Sequence, residues 1–484
     1  MRGGFNPFPP MRDRIGCGSI ERMIRQSQIP VLLFFGVVLF WTMALIALGA
    51  GERQVSQAPT VTVRGPIISG AQPSVGTPVP VQTLPPVEGS PIPTLAPTMV
   101  ATPFRIRLPD LNPEMMGVQL EANLSDEDWA EAMRRVTDNL SVRWIKLQIP
   151  WREMQPDGPD QIDSPFFRRV EQYIEDANRR GLNVLLSIAK APAWSRTILD
   201  EDGPPDDPQA LAAFLTLLLR EINPNEGREL VGDYIDAIEI WNEPNLRREW
   251  QGTLPFTGAG YMQLFVPAYN AIRAASPTLP IITAGLAPTS NTAGSVDDVE
   301  FLQQMYAAGL GQYTDIFIGA HPFSWGNAPD ALCCGTRGWD DNPHFFFAET
   351  IRSYRQVMSA NGHEGLKLWV TEFGWATWDG FPNEPPPGSE WMRFNDKWTQ
   401  AQYTIRAFEI MQTADYFAPA MLWNLNFAVL NNLVNDRDER TAYSLMIPGS
   451  AGVVDVESDD VTERPLYWMI YDAVRPDIQL ERYD

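Results

Sequence analysis

Residues 236–245 read Asp-Ala-Ile-Glu-Ile-Trp-Asn-Glu-Pro-Asn, an apolar, β-prone run that leads into the glutamate Glu243. A second run of the same design, Leu-Lys-Leu-Trp-Val-Thr-Glu-Phe-Gly at 366–374, leads into Glu372. A carboxylate at the end of a buried strand has an apolar base beneath it and an open, polar top. Two such carboxylates that face one cleft can supply a proton donor and a nucleophile or base.

The chain around these glutamates alternates β-prone runs with helical patterns. The predicted strands are Met116–Glu121, Val142–Gln148, Leu182–Ile188, Asp236–Trp241, Ile281–Ala284, Asp315–Ala320, Leu366–Thr371 and Ala418–Leu425. The predicted helices lie at 126–138, 164–180, 208–221, 259–274, 297–308, 346–361, 397–413 and 464–475. Such alternation predicts a parallel sheet, open or closed. Glu243 then follows the fourth strand and Glu372 the seventh.

These two segments resemble the acid/base and nucleophile motifs of clan A glycoside hydrolases, in which an Asn-Glu pair closes the fourth barrel strand and a single glutamate closes the seventh. The resemblance covers roughly residues 112–480. It implies an α/β fold of the (β/α)8 TIM-barrel type and retaining hydrolysis through a covalent glycosyl-enzyme. It also implies that Glu243 is the acid/base, that Glu372 is the nucleophile and that Asn242 binds the sugar 2-hydroxyl.

Two strand ends depart from the clan pattern. Members of the clan usually carry an arginine five residues before a tryptophan on the second strand, and here Lys146 precedes Trp151. A lysine keeps the charge that would hold the nucleophile but lacks the fork of donors. On the sixth strand, Phe323 occupies the slot of a tyrosine that bonds the nucleophile. We expect His321, two residues earlier, to bind substrate or the acid/base, although backbone groups alone can satisfy a histidine.

Four tryptophans near strand ends are predicted to contact substrate, because a large flat ring can stack on a sugar. The resemblance implies that Trp423 forms the floor of the −1 sugar site. Trp151, Trp194 and Trp375 are candidate stacking surfaces. Packing inside the protein is the alternative for each of them.

The implied mechanism sets two expectations for the carboxylates. Glu372 must be ionised, and Glu243 must start protonated, so we expect burial and the Glu372 charge to raise the pKa of Glu243. Retention predicts a carboxyl separation of about 5–5.5 Å, whereas inversion would need about 6.5–9.5 Å.

The first hundred residues concern location. Ile29 to Ala50 carries no charge and is long enough to span a bilayer. Arginines in the basic segment 1–28 precede it, which predicts a cytoplasmic N-terminus, a transmembrane anchor at 29–50 and an enzyme on the cell exterior. A cleaved signal peptide, and so a secreted enzyme, is the alternative. Residues 51–104 are rich in Pro, Thr and Ser and predict a disordered linker to a catalytic domain at 105–484.

Composition narrows the possible partners. The formal net charge of −23 argues against nucleic acid. We expect no metal or other cofactor, because the chain has three histidines and no phosphate-binding glycine loop. No obligate protein partner is evident. Three cysteines cannot form a disulfide framework, and adjacent Cys333 and Cys334 can form a vicinal disulfide or remain free thiols.

The sequence therefore predicts a membrane-anchored, extracellular, retaining glycosidase that cleaves β-linked poly- or oligosaccharides. Transfer to a sugar acceptor instead of water would make the same protein a transglycosylase. A carbohydrate-binding barrel that has lost catalysis is the alternative from another class, and Lys146 and Phe323 are the two features that favour it.

Overall fold

The computed structural model of the chain describes residues 108–222, 234–337, 340–429, 437–450, 453–454 and 461–476. The predicted anchor at 29–50 and the predicted linker at 51–104 lie outside these residues, as does the basic segment 1–28. None of the helices in the described ranges combines the length and the apolarity needed to cross a membrane.

Eight parallel strands surround a common interior. They are β1 (Met116–Leu120), β2 (Trp144–Pro150), β3 (Asn183–Ala189), β4 (Ala237–Ile240), β5 (Ile281–Thr283), β6 (Ile318–Ala320), β7 (Leu368–Val370) and β8 (Ala420–Leu422). Six form one sheet in the order β5-β4-β3-β2-β1-β8, and β6 pairs with β7. Single parallel bridges, Ile282 to Phe317 and Leu368 to Phe417, connect the two sheets. The result is a TIM-barrel-like α/β fold.

Helices lie between successive strands. They are α1 (Asp126–Arg134), α2 (Pro165–Arg179), α3 (Gln209–Glu221), α4 (Gly258–Ala275), α5 (Asp298–Ala307), α6 (Phe347–Ala360), α7 (Lys397–Thr413) and α8 (Pro465–Ala473). Side chains cap several of their N-termini; at α1 the hydroxyl of Ser125 accepts a hydrogen bond from the amide of Asp128. An antiparallel sheet of β9 (Met446–Ser450), β10 (Val453–Val454) and β11 (Val461–Glu463) precedes α8.

Predicted and observed elements agree in order and position, with differences at their ends. Strands β6 and β8 are shorter than predicted, because single bridges replace regular pairing where the two sheets meet. The β9–β11 sheet was not predicted, since Pro448, Gly449 and Gly452 interrupt the β-prone pattern there. Cys333 and Cys334, left open by the sequence, are joined in a disulfide.

The barrel interior has an apolar lower layer and a polar layer above it. Trp144, Ala237 and Trp369 belong to one buried apolar cluster inside the strands. Strand side chains alternate with a period of two, so the residues two positions further along face the same interior. These residues are Lys146, Glu239 and Thr371, all fully buried. The apolar layer closes the bottom of the barrel, and the polar layer lies beneath its C-terminal mouth.

The junction between β5 and β6 predicts a stability effect. A Cβ at Gly319 would lie 2.1 Å from the carbonyl oxygen of Thr283, which is backbone and cannot move aside cheaply. Gly319→Ala should therefore lower the free energy of unfolding by about 2 kcal/mol or more. Gly365→Ala is the matched control, because a Cβ there meets nothing within 4 Å. Guanidinium unfolding followed by tryptophan fluorescence measures both variants, and equal midpoints would contradict a tight β5–β6 junction.

Candidate active site

Lys146 lies between two buried carboxylates at the centre of the barrel. Its Nζ donates a hydrogen bond to Oε1 of Glu372 at 2.8 Å and lies 3.2 Å from Oε2 of Glu239. All three side chains are at least 95% buried. Lys146 therefore contacts the predicted nucleophile from the slot that an arginine usually occupies in the clan.

His321, which follows β6, connects the two predicted catalytic glutamates. Its Nδ1 lies 3.1 Å from Oε1 of Glu243 and 3.8 Å from Oε2 of Glu372. Its Nε2 lies 3.0 Å from Oγ1 of Thr371. The imidazole is fully buried, and side chains satisfy both of its nitrogens. The alternative of a histidine satisfied only by backbone groups is therefore wrong.

Glu239 is a third carboxylate, located beneath the other two. Its Oε1 accepts hydrogen bonds from Oγ1 of Thr371 at 2.5 Å and from the amide of Gly285 at 3.0 Å. The same oxygen lies 3.7 Å from Nε2 of His321. Glu239 thus contacts, directly or through Thr371, both cations that contact the predicted catalytic pair.

The backbone after β4 turns sharply to aim Glu243 into the barrel mouth. Trp241 and Glu243 have φ angles of 75° and 40°, in the left-handed region that non-glycine residues rarely adopt. The amide of Glu243 donates to the carbonyl of Gly285 at 3.1 Å, which ties this turn to the end of β5. Strain of about 1–3 kcal/mol per such residue is typical of functional sites and is offset by surrounding contacts.

Burial and opposite charges set the protonation of this cluster. Burial raises the pKa of Glu239, but the Lys146 charge and His321 outweigh it and hold that pKa well below its usual range. Burial lowers the pKa of Lys146, and the charges of Glu239 and Glu372 more than restore it. Burial also lowers the pKa of His321, yet the negative charge of Glu372 and the contacts with Glu239 and Glu243 raise it to about 9.

The pKa of Glu243 differs from the sequence-based expectation. Burial raises it, as expected, but the hydrogen bond and charge of His321, with the charges of Arg248 and Lys146, lower it below the ordinary glutamate value. Sequence reasoning considered only burial and Glu372, because His321 and Lys146 come from other strands. The opposite pKa directions of His321 and Glu243 favour a proton on the imidazole beside an ionised Glu243.

The two predicted catalytic carboxylates converge on one point. One oxygen of Glu243, one of Glu372 and a nitrogen of His321 all lie within 4.8 Å of one another. Inverting glycosidases separate their carboxyl groups by about 6.5–9.5 Å to admit a water molecule, whereas retaining enzymes hold them closer. An oxygen pair this close is compatible with the shorter carboxyl spacing of a retaining enzyme.

A cleft of about 710 Å³ opens above the carboxylates. Residues that line it include both glutamates, Asn242, Gln119, Trp325, Trp391 and Trp423. Among the described residues, Oδ1 of Asn242 and Oε1 of Gln119 are buried polar atoms without a hydrogen-bond partner. The ring of Trp423 is partly exposed and packs against Phe323 and Tyr443 at centroid distances of 5.4 and 4.9 Å. The lining thus combines flat rings with free amide oxygens.

Three of the predicted stacking tryptophans do not line this cleft. Trp151 is fully buried against Phe214, and its indole N–H donates to Gln155. Trp375 is 1% exposed and donates to the carbonyl of Asn327. Trp194 is half-buried and packs edge-on against Trp151. All three belong to the apolar layer between strands and helices, because their backbone has already turned away from the barrel axis.

Sequence reasoning missed several residues of the site. Glu239 could have been found from the sequence, because it is a charged residue inside an apolar strand. It lies two positions after Ala237 and therefore faces the same side of the strand, the barrel interior. Arg248 carried no such signal. Its guanidinium approaches Oε2 of Glu243 at 3.5 Å and Oε1 of Glu249 at 3.9 Å. Burial, followed by the charge of Glu243, raises the pKa of Glu249 to about 7.

Two clusters in the described part of the chain contain residue types that can bind a cation. One is Glu243, His321 and Glu372, and the other is Asp297, Asp298 and His344. In the second, the two nitrogens of His344 contact different carboxylates, at 3.0 Å from Asp297 and 2.6 Å from Asp298. Both clusters are accounted for by hydrogen bonds between imidazole and oxygen, and we propose neither as a metal site.

Comparison with known proteins identifies one family model, described as cellulase (glycosyl hydrolase family 5), which matches residues 112–426. No match is found among curated proteins. A family 39 glycoside hydrolase from Bacteroides cellulosilyticus WH2 is similar in structure, with a TM-score of 0.53 and 17% identity. That match covers 76% of this chain and 65% of the other. An endo-beta-1,4-glucanase from Xanthomonas axonopodis pv. citri matches with a TM-score of 0.43 and 14% identity, over 75% of this chain and 99% of the other.

The buried ion cluster predicts a pH-dependent loss of stability in Lys146→Met. At pH 7 this variant leaves Glu239 and Glu372 without their shared cation, so the free energy of unfolding should fall by about 3–5 kcal/mol. The lowered pKa of Glu239 stabilises the wild type above the unfolded glutamate pKa of about 4.3, and that stability is lost as pH falls. In the variant, Glu239 can take up a proton instead. The difference between the two proteins should therefore shrink towards pH 4.

Denaturant unfolding at pH 7 and at pH 4.5 measures this difference. Lys367→Met is the matched control, because Lys367 is exposed, and its stability should change by less than about 0.5 kcal/mol. A loss in Lys146→Met that is the same at both pH values would contradict the electrostatic assignment.

Proposed function

The chain belongs to the cellulase family, glycosyl hydrolase family 5, and on that basis we propose that it cleaves β-glycosidic bonds of a neutral poly- or oligosaccharide by double displacement. Glu372 attacks the anomeric carbon, and Glu243 protonates the leaving oxygen. Glu243 then removes a proton from the water that releases the sugar from Glu372. The enzyme is a retaining glycosidase. We propose in addition that it acts on β linkages of a neutral glycan, with Glu372 as nucleophile and Glu243 as acid/base.

The observation that carries this proposal is the shared contact of both carboxylates with one buried imidazole. Nδ1 of His321 lies 3.1 Å from Glu243 and 3.8 Å from Glu372, which holds the two groups on the same side of the barrel mouth. Lys146 donates a hydrogen bond to Glu372 from below at 2.8 Å. A carboxylate paired with a cation and a second carboxylate beside a proton-bearing group are the two elements that the mechanism requires.

The lining of the cleft supports a neutral glycan as substrate. The oxygens of Gln119 and Asn242 that have no hydrogen-bond partner within the protein can accept hydrogen bonds from sugar hydroxyls. Trp423 and Trp391 provide ring faces for sugar stacking. Acidic side chains, among them Glu121, Glu249 and Glu439, outnumber the basic Lys190, Arg248 and Arg440 in the cleft lining, which disfavours a polyanion. Because the family is described as cellulase, β-linked glucans are the first substrates to test.

Lys146 does not favour the non-catalytic alternative once its contacts are considered. Its ammonium reaches Glu372 and Glu239 together, so the nucleophile retains a cationic partner. The absence of a hydroxyl at Phe323 is the remaining departure from the clan pattern. Transglycosylation differs only in which acceptor reaches the glycosyl-enzyme, and product analysis with added sugar acceptors separates it from hydrolysis.

Location remains part of the proposal. The uncharged run 29–50, preceded by arginines and followed by a Pro-rich stretch, supports a membrane anchor with the catalytic domain outside the cell. We expect the full-length chain to sediment with membranes, to resist extraction by high salt and to lose its catalytic domain when intact cells are treated with protease. Recovery of a shortened, active chain in the medium would support the cleaved signal peptide instead.

Substitution of each glutamate tests the catalytic roles. With soluble β-glucans and unactivated β-glycosides, whose leaving oxygen needs protonation, Glu243→Ala should lose about 10²–10⁴-fold in kcat/KM, and Glu372→Ala should lose at least as much. Azide should rescue Glu372→Ala to give an α-glycosyl azide and Glu243→Ala to give the β-anomer. Proton NMR of the wild-type reaction should show the β-anomer first.

The exposed Glu127 on α1 provides a matched control, and Glu127→Ala should retain full activity. If Glu372→Ala were as active as the wild type, or if the first product were the α-anomer, the proposed mechanism would be wrong. A wild type with no activity on any glycan, but with glycan binding, would favour the carbohydrate-binding barrel.

A further inference from the structure

His321 contacts three carboxylates and one hydroxyl, and the roles of its two nitrogens can be assigned from them. This argument rests on the proposed function, because it concerns how Glu243 obtains its proton. Nδ1 faces Oε1 of Glu243 at 3.1 Å, and Nε2 faces Oγ1 of Thr371 at 3.0 Å. The tautomer of a histidine is set by the partner of each nitrogen.

Thr371 determines which nitrogen keeps its proton. Its hydroxyl has a single hydrogen, which it donates to Oε1 of Glu239 at 2.5 Å. Glu239 is ionised and fully buried, so this acceptor is strong and permanent. The hydroxyl oxygen can then only accept from His321, and Nε2 must carry a hydrogen. Nδ1 is left as the nitrogen whose protonation can change.

We propose that Glu239 and Thr371 are positioning residues for the acid/base, which keep the proton on Nε2 of His321 and thereby reserve Nδ1 to exchange one proton with Glu243. Neither residue contacts the substrate. Both act through the tautomer of His321, as a carboxylate orients the imidazole in other acid/base systems.

The proton balance of the two steps follows from this assignment. The His321–Glu243 pair holds one proton, which passes from Nδ1 to Glu243 and then to the leaving oxygen as the glycosidic bond breaks and Glu372 bonds to the anomeric carbon. Nδ1 of His321 and Glu243 are then both without the proton that they exchange, while Nε2 keeps its own. In the second step the pair takes one from water, whose oxygen displaces Glu372 from the sugar. The bare Nδ1 that faces ionised Glu243 increases the affinity of the pair for that proton.

The packing around His321 is built for this contact. A Cβ at Gly285 would lie 2.2 Å from Nε2 and Cδ2 of the imidazole and 2.8 Å from Oγ1 of Thr371, so only glycine leaves room for the hydrogen bond. The titratable and charged groups that face the imidazole are Glu239 on β4, Glu243 after β4, Glu372 after β7 and Lys146 on β2. Glu239 is the one among them that reaches Nε2 through a hydroxyl.

The kinetic test compares Thr371→Val with Thr371→Ser in the full-length chain. Valine has nearly the same shape but no hydroxyl, whereas serine keeps the hydroxyl. With an unactivated glycoside, whose leaving oxygen needs protonation, Thr371→Val should lose about 10–100-fold in kcat with little change in KM. With a dinitrophenyl glycoside, whose leaving group needs no proton, the loss in kcat/KM, which reports only the first step, should stay below about 3-fold. Thr371→Ser should restore most of the lost activity.

Glu239→Gln provides a second variant. When the glutamine amide is oriented with its N–H₂ group towards Thr371, it cannot accept the hydrogen of the threonine hydroxyl. The variant should show the same dependence on leaving group. Glu239→Gln should also shift the alkaline limb of the pH–kcat/KM profile to lower pH, since His321 loses the negative charge of Glu239. Thermal unfolding of every variant checks that it is folded before kinetics are compared.

Nitrogen-15 NMR of histidine-labelled protein gives a readout that does not depend on activity. The chain has only three histidines, and His344→Gln and His363→Gln assign two of them. In the wild type, Nε2 of His321 should remain protonated across the titration while Nδ1 changes, and Thr371→Val should give a mixture of tautomers.

Equal losses on both substrates, failure of serine to restore activity, or an Nε2 that is bare in the wild type would each overturn the proposal. Absence of glycosidase activity in the wild type would instead contradict the proposed function. The NMR result would still decide the tautomer.

Discussion

Compensation of charge inside the barrel is the constraint on which this active site depends. Three carboxylates, Glu239, Glu243 and Glu372, share a water-poor interior with Lys146 and His321. A buried ion without a partner costs several kcal/mol, so each of these groups can remain charged only if the others do. The cluster therefore behaves as a unit. Its geometry is set by the strands that carry it, and its protonation is set by the sum of its charges.

That interdependence explains why the fold could be predicted further than the site. Strand order and the positions of Glu243 and Glu372 follow from local patterns, namely a strand period of two and a loop at each strand end. The clan resemblance inferred from the same segments is confirmed by the family match. The parity rule also places Lys146 and Glu239 inside the barrel. The partners of Lys146 come from other strands, so they are set only when the barrel closes. The sequence around Lys146 does not reveal them.

The tryptophans after the strand ends also show what local sequence cannot predict, namely whether a side chain faces the cleft or the core. Trp423 directly follows β8 and Trp375 follows β7 after a short segment, and apart from the clan resemblance the sequence offers no reason to separate them. In the structure, Trp423 is partly exposed in the cleft, whereas Trp375 is packed between β-strands and helices. The difference arises because the chain after Glu372 turns outward towards α6 and α7, where an apolar ring gains more by burial than at the mouth. Side-chain direction beyond a strand end depends on that turn.

The lysine at position 146 gains a physical explanation from Glu239. An arginine would bring five N–H donors into this fully buried space. The ammonium of Lys146 contacts two carboxylate oxygens there, one of Glu239 and one of Glu372. A lysine brings three N–H donors, of which one donates to Glu372 at 2.8 Å, and the ammonium also forms an ion pair with Glu239 at 3.2 Å. Its compact charge lies between two anions and serves both. The substitution that weakens the clan pattern is thus consistent with a retained catalytic function, because a strand neighbour supplies the second anion that fixes the ammonium in place.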